Sequence, residues 1–392
     1  MRKKLMEMLE SRKDEMVAIR RYLHQHPEVS FQEEKTAEYI KEFYKDKPVK
    51  VESEIGSHGV LVTINEGKSD DVLALRADFD ALPIFEETGL DFASDADGVM
   101  HACGHDAHTA YLLVLADCLI ELRSELPGVV KIIHQHAEEV PPGGARDFIV
   151  EGVLSDVKRI YGVHVFPYAQ PGVVLYRSGL TMAGSGVFKL KITGTGGHGS
   201  APHLSNDAIV AGAQFVVAAQ SIVSRRVDPS EMAVVSIGHF DGVGQGNVIK
   251  DSVSLEASIR FFDKSVETLI AQELMRIANG IGEMFGVEVE AEYVQGYPPL
   301  VNDEQVVNDA VRVLKNAEYL DGIGELPIQN SSEDFASYLE VIPGAFFFAS
   351  SCPLGVEKPY YNHNPKFDVN EDVLVICAKT MADLVIDYFK IV

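Results

Sequence analysis

The sequence of 392 residues contains no tryptophan, only four cysteines, and far fewer basic than acidic residues. Four scattered cysteines are too few for a disulfide framework. The 34 lysines and arginines stand against 59 acidic residues, and a net charge of -25 repels the phosphate backbone of nucleic acids. No apolar run approaches the roughly 20 residues that span a bilayer, and the charged N-terminal stretch lacks an apolar signal core. We therefore expect a cytoplasmic protein with no membrane segment and no nucleic-acid partner.

The length of the chain suits two or three domains, and the sequence pattern changes twice along it. Up to residue 180, helical patterns alternate with β-branched runs such as "DVLALRAD" and "RIYGVHVF", which is typical of an α/β domain with a largely parallel sheet. Residues 181–294 follow the order β-α-β-β-α-β, which predicts an antiparallel sheet with two helices on one face. We predict a discontinuous domain, 1–180 and 295–392, with the smaller 181–294 domain inserted into it.

Titratable side chains stand at the ends of the predicted strands. Asp78 and Asp80 follow one strand, Glu138 and Glu139 follow another, and His164 lies in a third. In a parallel sheet these strand ends open onto one crevice, where ligands bind. Taken singly, each has a structural alternative. The aspartates suit a loop or a cap, the glutamates suit the first turn of a helix, and the histidine suits a hydrogen-bonded core position.

The stretch "MHACGHDAHTA", residues 100–110, is a second source of ligand-type side chains, and a buried apolar helix is predicted to follow from Ala110. It supplies Cys103 and His105, while His363 lies in a turn-rich loop near the C-terminus. Together with the strand ends, five side chains offer the thiolate, imidazole and carboxylate ligands of a two-metal hydrolytic centre: Cys103, His105, Glu139, His164 and His363. One zinc ion needs about four ligands, so five candidates and a spare carboxylate indicate two metal ions.

The spare carboxylate, Glu138, is then the general base on a metal-bridging water. Asp80 and Asp106 are expected to hold metal ligands in place through hydrogen bonds, without contacting the metal ions themselves. A rival chemistry is a cysteine nucleophile, with Cys103 activated by a neighbouring histidine. That chemistry leaves the glutamate and the two distant histidines without a role, so we favour the metal centre.

These motifs resemble the M20 metallopeptidase family, in particular its amidohydrolase branch of N-acyl-L-amino-acid, hippurate and indole-acetyl-amino-acid hydrolases. The resemblance runs through "RRYLHQHPEVSFQEEKT", "LRADFDALP", "MHACGHDAHTA", "AEEVPPGGA", "GTGGHGSAPH", "SSEDF" and "HNPKFDVNED", in the family's order. It implies an α/β, zinc-peptidase-like catalytic domain with an inserted ferredoxin-like α+β lid that often mediates dimerisation. The family's ligand positions fall on the same five residues, its general base on Glu138 and its supporting aspartate on Asp80.

By the same resemblance, three residues of the lid act on the substrate. His198 is the lid histidine that stabilises the tetrahedral oxyanion, often in the partner subunit's site. Asn247 is similar to an asparagine that binds near the substrate carbonyl. Arg260 resembles an arginine that clamps a substrate carboxylate, although a charged strand end is its structural alternative.

The function expected from these residues and this resemblance is a dinuclear metal-dependent amidohydrolase. It would cleave the amide of an N-acyl amino acid into a carboxylate and a free amino acid. Its cofactors would be two divalent ions, for which zinc, manganese, nickel and cobalt all suit the ligands. Its partners would be a small N-acyl amino acid or dipeptide, and further copies of the chain in a homodimer or higher homo-oligomer formed through the lid. The alternatives are a dipeptidase or aminopeptidase of the same family, and a metal-bearing binding protein without turnover.

Overall fold

Apolar β-branched runs form strands, and amphipathic stretches form helices, in residues 1–356 and 358–391, which the computed structural model describes. The helices are α1 Arg2–Ser11, α2 Lys13–Gln25, α3 Glu34–Tyr44, α4 His105–Glu121, α5 Ala145–Val150, α6 Ala208–Arg225, α7 Lys264–Phe285, α8 Glu304–Leu314, α9 Phe335–Leu339 and α10 Val373–Tyr388. The strands are β1 Lys50–Ile55, β2 Gly59–Ile64, β3 Val72–Asp78, β4 Val129–Gln135, β5 Arg159–Phe166, β6 Val173–Tyr176, β7 Gly179–Met182, β8 Gly184–Thr193, β9 Gly197–His198, β10 Ala233–Asp241, β11 Val248–Ile249, β12 Ser252–Phe261, β13 Glu288–Gln295, β14 Leu300–Asn302, β15 Gly322–Glu325 and β16 Gly344–Ser350.

The first of two compact units comprises Met1–Thr181, Val301–Pro327 and Glu333–Val392. Its eight-stranded sheet has the order β1-β2-β4-β3-β5-β16-β6-β15. The centre of the sheet is parallel, because β3 pairs in parallel with β4 and β5, and β5 pairs in parallel with β16. Strands β2 and β3 are buried along their whole length, as expected of apolar runs covered on both faces. The prediction of an α/β fold with a largely parallel sheet is confirmed.

Helix α4 begins at His105, earlier than the apolar pattern from Ala110 predicts. Gly104, directly before it, has a φ of 90° in the left-handed region, which glycine adopts without steric cost. The polar residues of "GHDAH" therefore lie in the first turn of a helix that is buried along nearly all of its length. This start places Cys103 and His105 on either side of a sharp turn in the chain.

The second unit comprises Met182–Leu300 and Ile328–Ser332. It holds a four-stranded antiparallel sheet in the order β10-β12-β8-β13. Helices α6 and α7 pack on the sheet through apolar side chains that include Phe215 and Ile270. The chain order β8-α6-β10-β12-α7-β13 is the β-α-β-β-α-β order expected from the sequence.

Helix α6 has two different sides. It is long and apolar enough to cross a bilayer by length and composition alone. One side buries Phe215 and Ile222 in the core of its unit, and the other exposes Val210 and Val217. Its start is fixed by Asp207, whose carboxylate accepts hydrogen bonds from two backbone N–H groups of the first turn.

Candidate metal centre

Six residues of the predicted site lie together at one edge of the large sheet. Because β3, β4 and β5 run parallel, the loops at their carboxyl ends meet there. Ligand-type atoms lie within 4.8 Å of one another in three overlapping groups: Cys103, His105 and His164; Cys103, Glu139 and His363; and His105, Glu138 and Glu139. The fold thus brings the five candidate ligands and the candidate base into one cluster.

The cluster has the properties of a cation site. Nε2 of His105 is buried without a hydrogen-bond partner in the described part of the chain. Leaving a buried polar atom without a partner costs roughly 1–3 kcal/mol, so such atoms are rare. Sγ of Cys103 lies 3.5 Å from Nε2 of His164, and Nε2 of His363 lies 3.2 Å from Oε1 of Glu139. Thiolate, imidazole and carboxylate are donors that zinc and related ions prefer, so these residues fit two divalent cations.

Asp80 orients two members of the cluster. Its Oδ1 lies 3.1 Å from Nδ1 of His105, and its Oδ2 accepts the backbone N–H of Glu139 at 2.9 Å. With Nδ1 turned to Asp80, Nε2 of the same ring is left to face the cluster. His164 is oriented in a similar way, because its Nδ1 lies 2.7 Å from the carbonyl oxygen of the next residue and its Nε2 faces the thiol.

Glu138 is a buried carboxyl in an acidic neighbourhood. Burial, and then the charges of Glu333 and Glu139, raise the pKa of Glu138 well above its usual range. Its Oε1 accepts the backbone N–H of Asp334 at 3.4 Å. The two adjacent glutamates lie in a bend between β4 and α5, so the alternative that they open a helix is wrong. A carboxyl with a raised pKa accepts a proton more readily than an ordinary carboxylate.

The cluster adjoins a buried ionic network that the sequence pattern did not predict. Arg76, in β3, contacts Asp78 at 2.5 Å, Asp334 at 2.7 Å and Glu333 at 3.0 Å. Asp78 is fully buried and is neither a loop nor a cap carboxylate. The sequence does contain one sign of this network, an arginine two residues before an aspartate in a mostly apolar strand. Side chains two positions apart lie on the same face of a strand and can pair there.

The remaining polar residues of "GHDAH" have partners outside the cluster. Asp106, expected to support a ligand, accepts hydrogen bonds from Arg20 and His24. His108 lies behind the cluster, with its Nδ1 at 2.5 Å from Asp78. Successive residues of a helix are turned by about 100°, so neighbours in the first turn of α4 face different surroundings.

The three predicted lid residues belong to the second unit. His198 is exposed on β9, and its Nδ1 accepts the backbone N–H of Ser200 at 3.1 Å. Arg260, on β12, donates to a serine hydroxyl and to a main-chain carbonyl, and burial lowers its pKa. Asn247 is exposed, and its main-chain carbonyl accepts the N–H of Gly199. Their roles toward a substrate stay predictions.

Two proteins of Bacillus subtilis (strain 168) are similar to this chain in sequence. YhaA, named provisionally as an amidohydrolase, is 42% identical over 391 residues, which cover 100% of this chain and 99% of that protein. An N-acetyl-L-cysteine deacetylase is 37% identical over 361 residues, which cover 92% of this chain and 85% of the relative. Both similarities extend over most of the chain.

Solved structures are similar along the whole fold. A Staphylococcus aureus protein (methicillin resistant), described provisionally as an aminohydrolase, has a TM-score of 0.92 at 49% identity and covers 99% of this chain and 100% of its own. The YXEP protein of Bacillus subtilis, described as a dinuclear metal-binding peptidase of the M20 family, has a TM-score of 0.79 at 32% identity and covers 98% of this chain and 100% of its own. Residues 74–387 match Peptidase family M20/M25/M40 itself. With this match and with relatives that are similar over nearly its full length, the chain belongs to peptidase family M20/M25/M40.

Proposed function

We propose that this M20-family hydrolase cleaves the amide bond of N-acyl amino acids and releases a carboxylate and a free amino acid. The observation that carries the proposal is the convergence of five ligand-type side chains and the buried carboxyl of Glu138 at one sheet edge. The relative named as an N-acetyl-L-cysteine deacetylase supports the same substrate class. The proposed ligands are Cys103, His105, Glu139, His164 and His363.

Two divalent cations held by these ligands would polarise the amide carbonyl and lower the pKa of the attacking water. Glu138 takes the proton of that water and delivers it to the nitrogen of the leaving amine. Its raised pKa suits both transfers. Asp80 keeps His105 and Glu139 in their orientations throughout. Zinc, manganese, nickel and cobalt all suit the donor set, and a reducing cytoplasm would keep the thiol of Cys103 available as a ligand.

The lid residues supply the contacts to the rest of the substrate in this proposal. Because Nδ1 of His198 accepts a backbone N–H, the proton of the neutral ring is on Nε2, which is then a donor for the developing oxyanion. Asn247 binds near the carbonyl. Nη1 of Arg260 donates to a serine hydroxyl and to a main-chain carbonyl, and no carboxylate contacts this arginine among the residues that the structure describes. Its remaining N–H groups would bind a substrate carboxylate.

We also propose that copies of the chain associate through the second unit as a homodimer. Strand β10 lies at the edge of its sheet, where backbone groups are open to pairing with another strand. Val234 and Phe240 are exposed on this strand, and Val210 and Val217 are exposed on α6. Apolar surface beside an open strand edge is typical of an interface.

A matched substrate panel tests the proposed reaction. The panel pairs N-acetyl amino acids, N-acetyl-L-cysteine included, with dipeptides that have the same C-terminal residue, and free amino acid is measured. The expected result is release from the acetylated members that stops on chelation and returns when metal is added back. Faster cleavage of the dipeptides would make the enzyme a dipeptidase instead. Turnover of neither set by metal-loaded protein would contradict the proposal.

A further inference from the structure

The motif "HPEVSFQEEKT" near the N-terminus contains three glutamates, and two of them, Glu28 and Glu33, have different partners. The carboxylate of Glu28 accepts the backbone N–H groups of Lys35 and Thr36 in the first turn of α3. Glu33 is fully buried just before the same helix, and its carboxyl does not cap it. The carboxyl of Glu33 instead contacts a distant part of the chain, at Ala137.

Glu33 holds the backbone directly before the proposed base. Its Oε1 accepts the N–H of Ala137 at 2.8 Å in a buried contact. Ala137 has a φ of 51°, in the left-handed region, which is unfavourable for a residue with a Cβ atom. Such a conformation persists where its surroundings impose it. The carboxyl of Glu33 is the side chain that bonds this amide.

Two carboxyls thus hold alternate amides of one short segment. Glu33 accepts the N–H of Ala137, and Asp80 accepts the N–H of Glu139. Glu138 lies between them and turns its own carboxyl into the cluster. The hydroxyl of Ser30, from the same motif as Glu33, donates a hydrogen bond to Asp80 at 2.7 Å. This motif therefore supplies one of the two carboxyls, Glu33, and holds the other, Asp80.

We infer that Glu33 is a positioning residue, which fixes Ala137 in its left-handed conformation and so aims Glu138 at the reacting atoms. The inference rests on the proposed function of Glu138 as the base. The contact needs an acceptor oxygen at the right distance, and it does not need a negative charge. Burial, and then the charge of Asp80, raise the pKa of Glu33 to about 8, so the carboxyl is largely neutral at pH 7.

Three variants separate position from charge. Glu33→Asp keeps a carboxyl group but draws the acceptor back by one methylene, and we expect a kcat up to about 100-fold lower with KM little changed, as for a misplacement near 1 Å. Glu33→Gln keeps the acceptor and should retain nearly the wild-type kcat. Adding Ala137→Gly to Glu33→Asp should restore part of the rate, because glycine adopts positive φ without help. The matched control is Glu28→Asp, which shortens the helix cap of the same motif and should leave kcat unchanged.

Hydrogen exchange at the amide of Ala137 gives a readout independent of turnover. Exchange should be faster in Glu33→Asp than in the wild type, Glu33→Gln or Glu28→Asp. An active enzyme whose Glu33→Asp variant keeps its kcat, or whose Glu33→Gln variant loses as much, overturns the inference alone. A wild type that hydrolyses no member of the substrate panel overturns the proposed function.

Discussion

At the scale of single residues, Arg76 balances the charge beneath the cluster. Its guanidinium is fully buried among Asp78, Glu333 and Asp334. Burial raises the pKa of Glu333 to about 8 even beside this cation. We predict that Arg76→Met lowers the free energy of unfolding by about 3–5 kcal/mol, because it leaves buried carboxyls without their partner. A denaturant titration measures this loss.

An exposed arginine is the control for that prediction. Arg312 pairs with Asp387 at 3.0 Å on the surface. Arg312→Met should cost at most about 1 kcal/mol, since an exposed ion pair is screened by water and salt. Equal losses of unfolding free energy in the two variants would show that burial does not explain the contribution of Arg76 to stability.

His24 gives the stability of the fold a pH dependence of its own. Burial lowers its pKa, but hydrogen bonds to Asp106 and Glu86 outweigh this and raise the pKa to about 9. Since the unfolded value is about 6.5, the stabilising contribution is complete below that pH and is lost as the pH rises towards 9. We predict that the free energy of unfolding decreases over this interval, and decreases less in His24→Gln. Urea titrations across the interval measure both slopes, and identical slopes would exclude this role.

At the scale of elements, strongly periodic segments were predictable and their ends were not. Strand β3 begins with four apolar residues and is buried throughout, and α4 is mostly apolar from Ala110 onward. The first turn of α4 is polar, and hydropathy does not distinguish such a turn from a loop. It is buried because His105 contacts Asp80 and His108 contacts Asp78, at separations of 25 and 30 residues. Local patterns carry no information on such pairs.

In the site, too, some features were predictable from the sequence and others were not. The convergence of the five proposed ligands was predictable, because thiol, imidazole and carboxyl groups in such motifs have few other joint uses. The network around Arg76 was not, since its bond to Asp334 joins residues 258 positions apart. Nor was the support of Ala137 by Glu33, which depends on a left-handed backbone that only the folded chain shows.

Gly104 sets the turn between two proposed ligands. A Cβ atom there would lie 2.3 Å from Cγ2 of Val165, whereas a Cβ atom at Gly67, also left-handed, would meet nothing within 4 Å. We predict that Gly67→Ala costs only the left-handed penalty of about 1–2 kcal/mol. Gly104→Ala should also displace Cys103 and His105 and weaken metal binding by about 10- to 100-fold.

Titration of the two glycine variants with cobalt(II) checks this difference, because thiolate coordination gives the ion a characteristic absorption. The free energy of unfolding of each variant is measured alongside. Similar cobalt affinity in Gly104→Ala and Gly67→Ala would show that the turn does not set the ligand geometry.

At the scale of the whole molecule, the proposed dimer depends on the apolar surface of the second unit. Val217, at the middle of α6, has 66% of its surface exposed, and Val150, in the first unit, has 77% exposed. We predict that Val217→Asp converts a dimer to a monomer in sedimentation or light-scattering measurements, because a buried unpaired charge opposes association. Val150→Asp is the matched control and should leave the dimer intact. A wild-type monomer, or dissociation by both variants, would contradict this interface.

In the proposed reaction, the carboxyl of Glu138 carries the proton from water to the leaving amine. The most direct test compares the rate of amide hydrolysis by the wild type and by Glu138→Gln at equal, measured metal content. Glutamine has the same shape but cannot accept the proton. We predict that two metal ions stay bound while turnover falls by about 10²- to 10⁴-fold. Retained turnover by Glu138→Gln at full metal content would contradict the central claim.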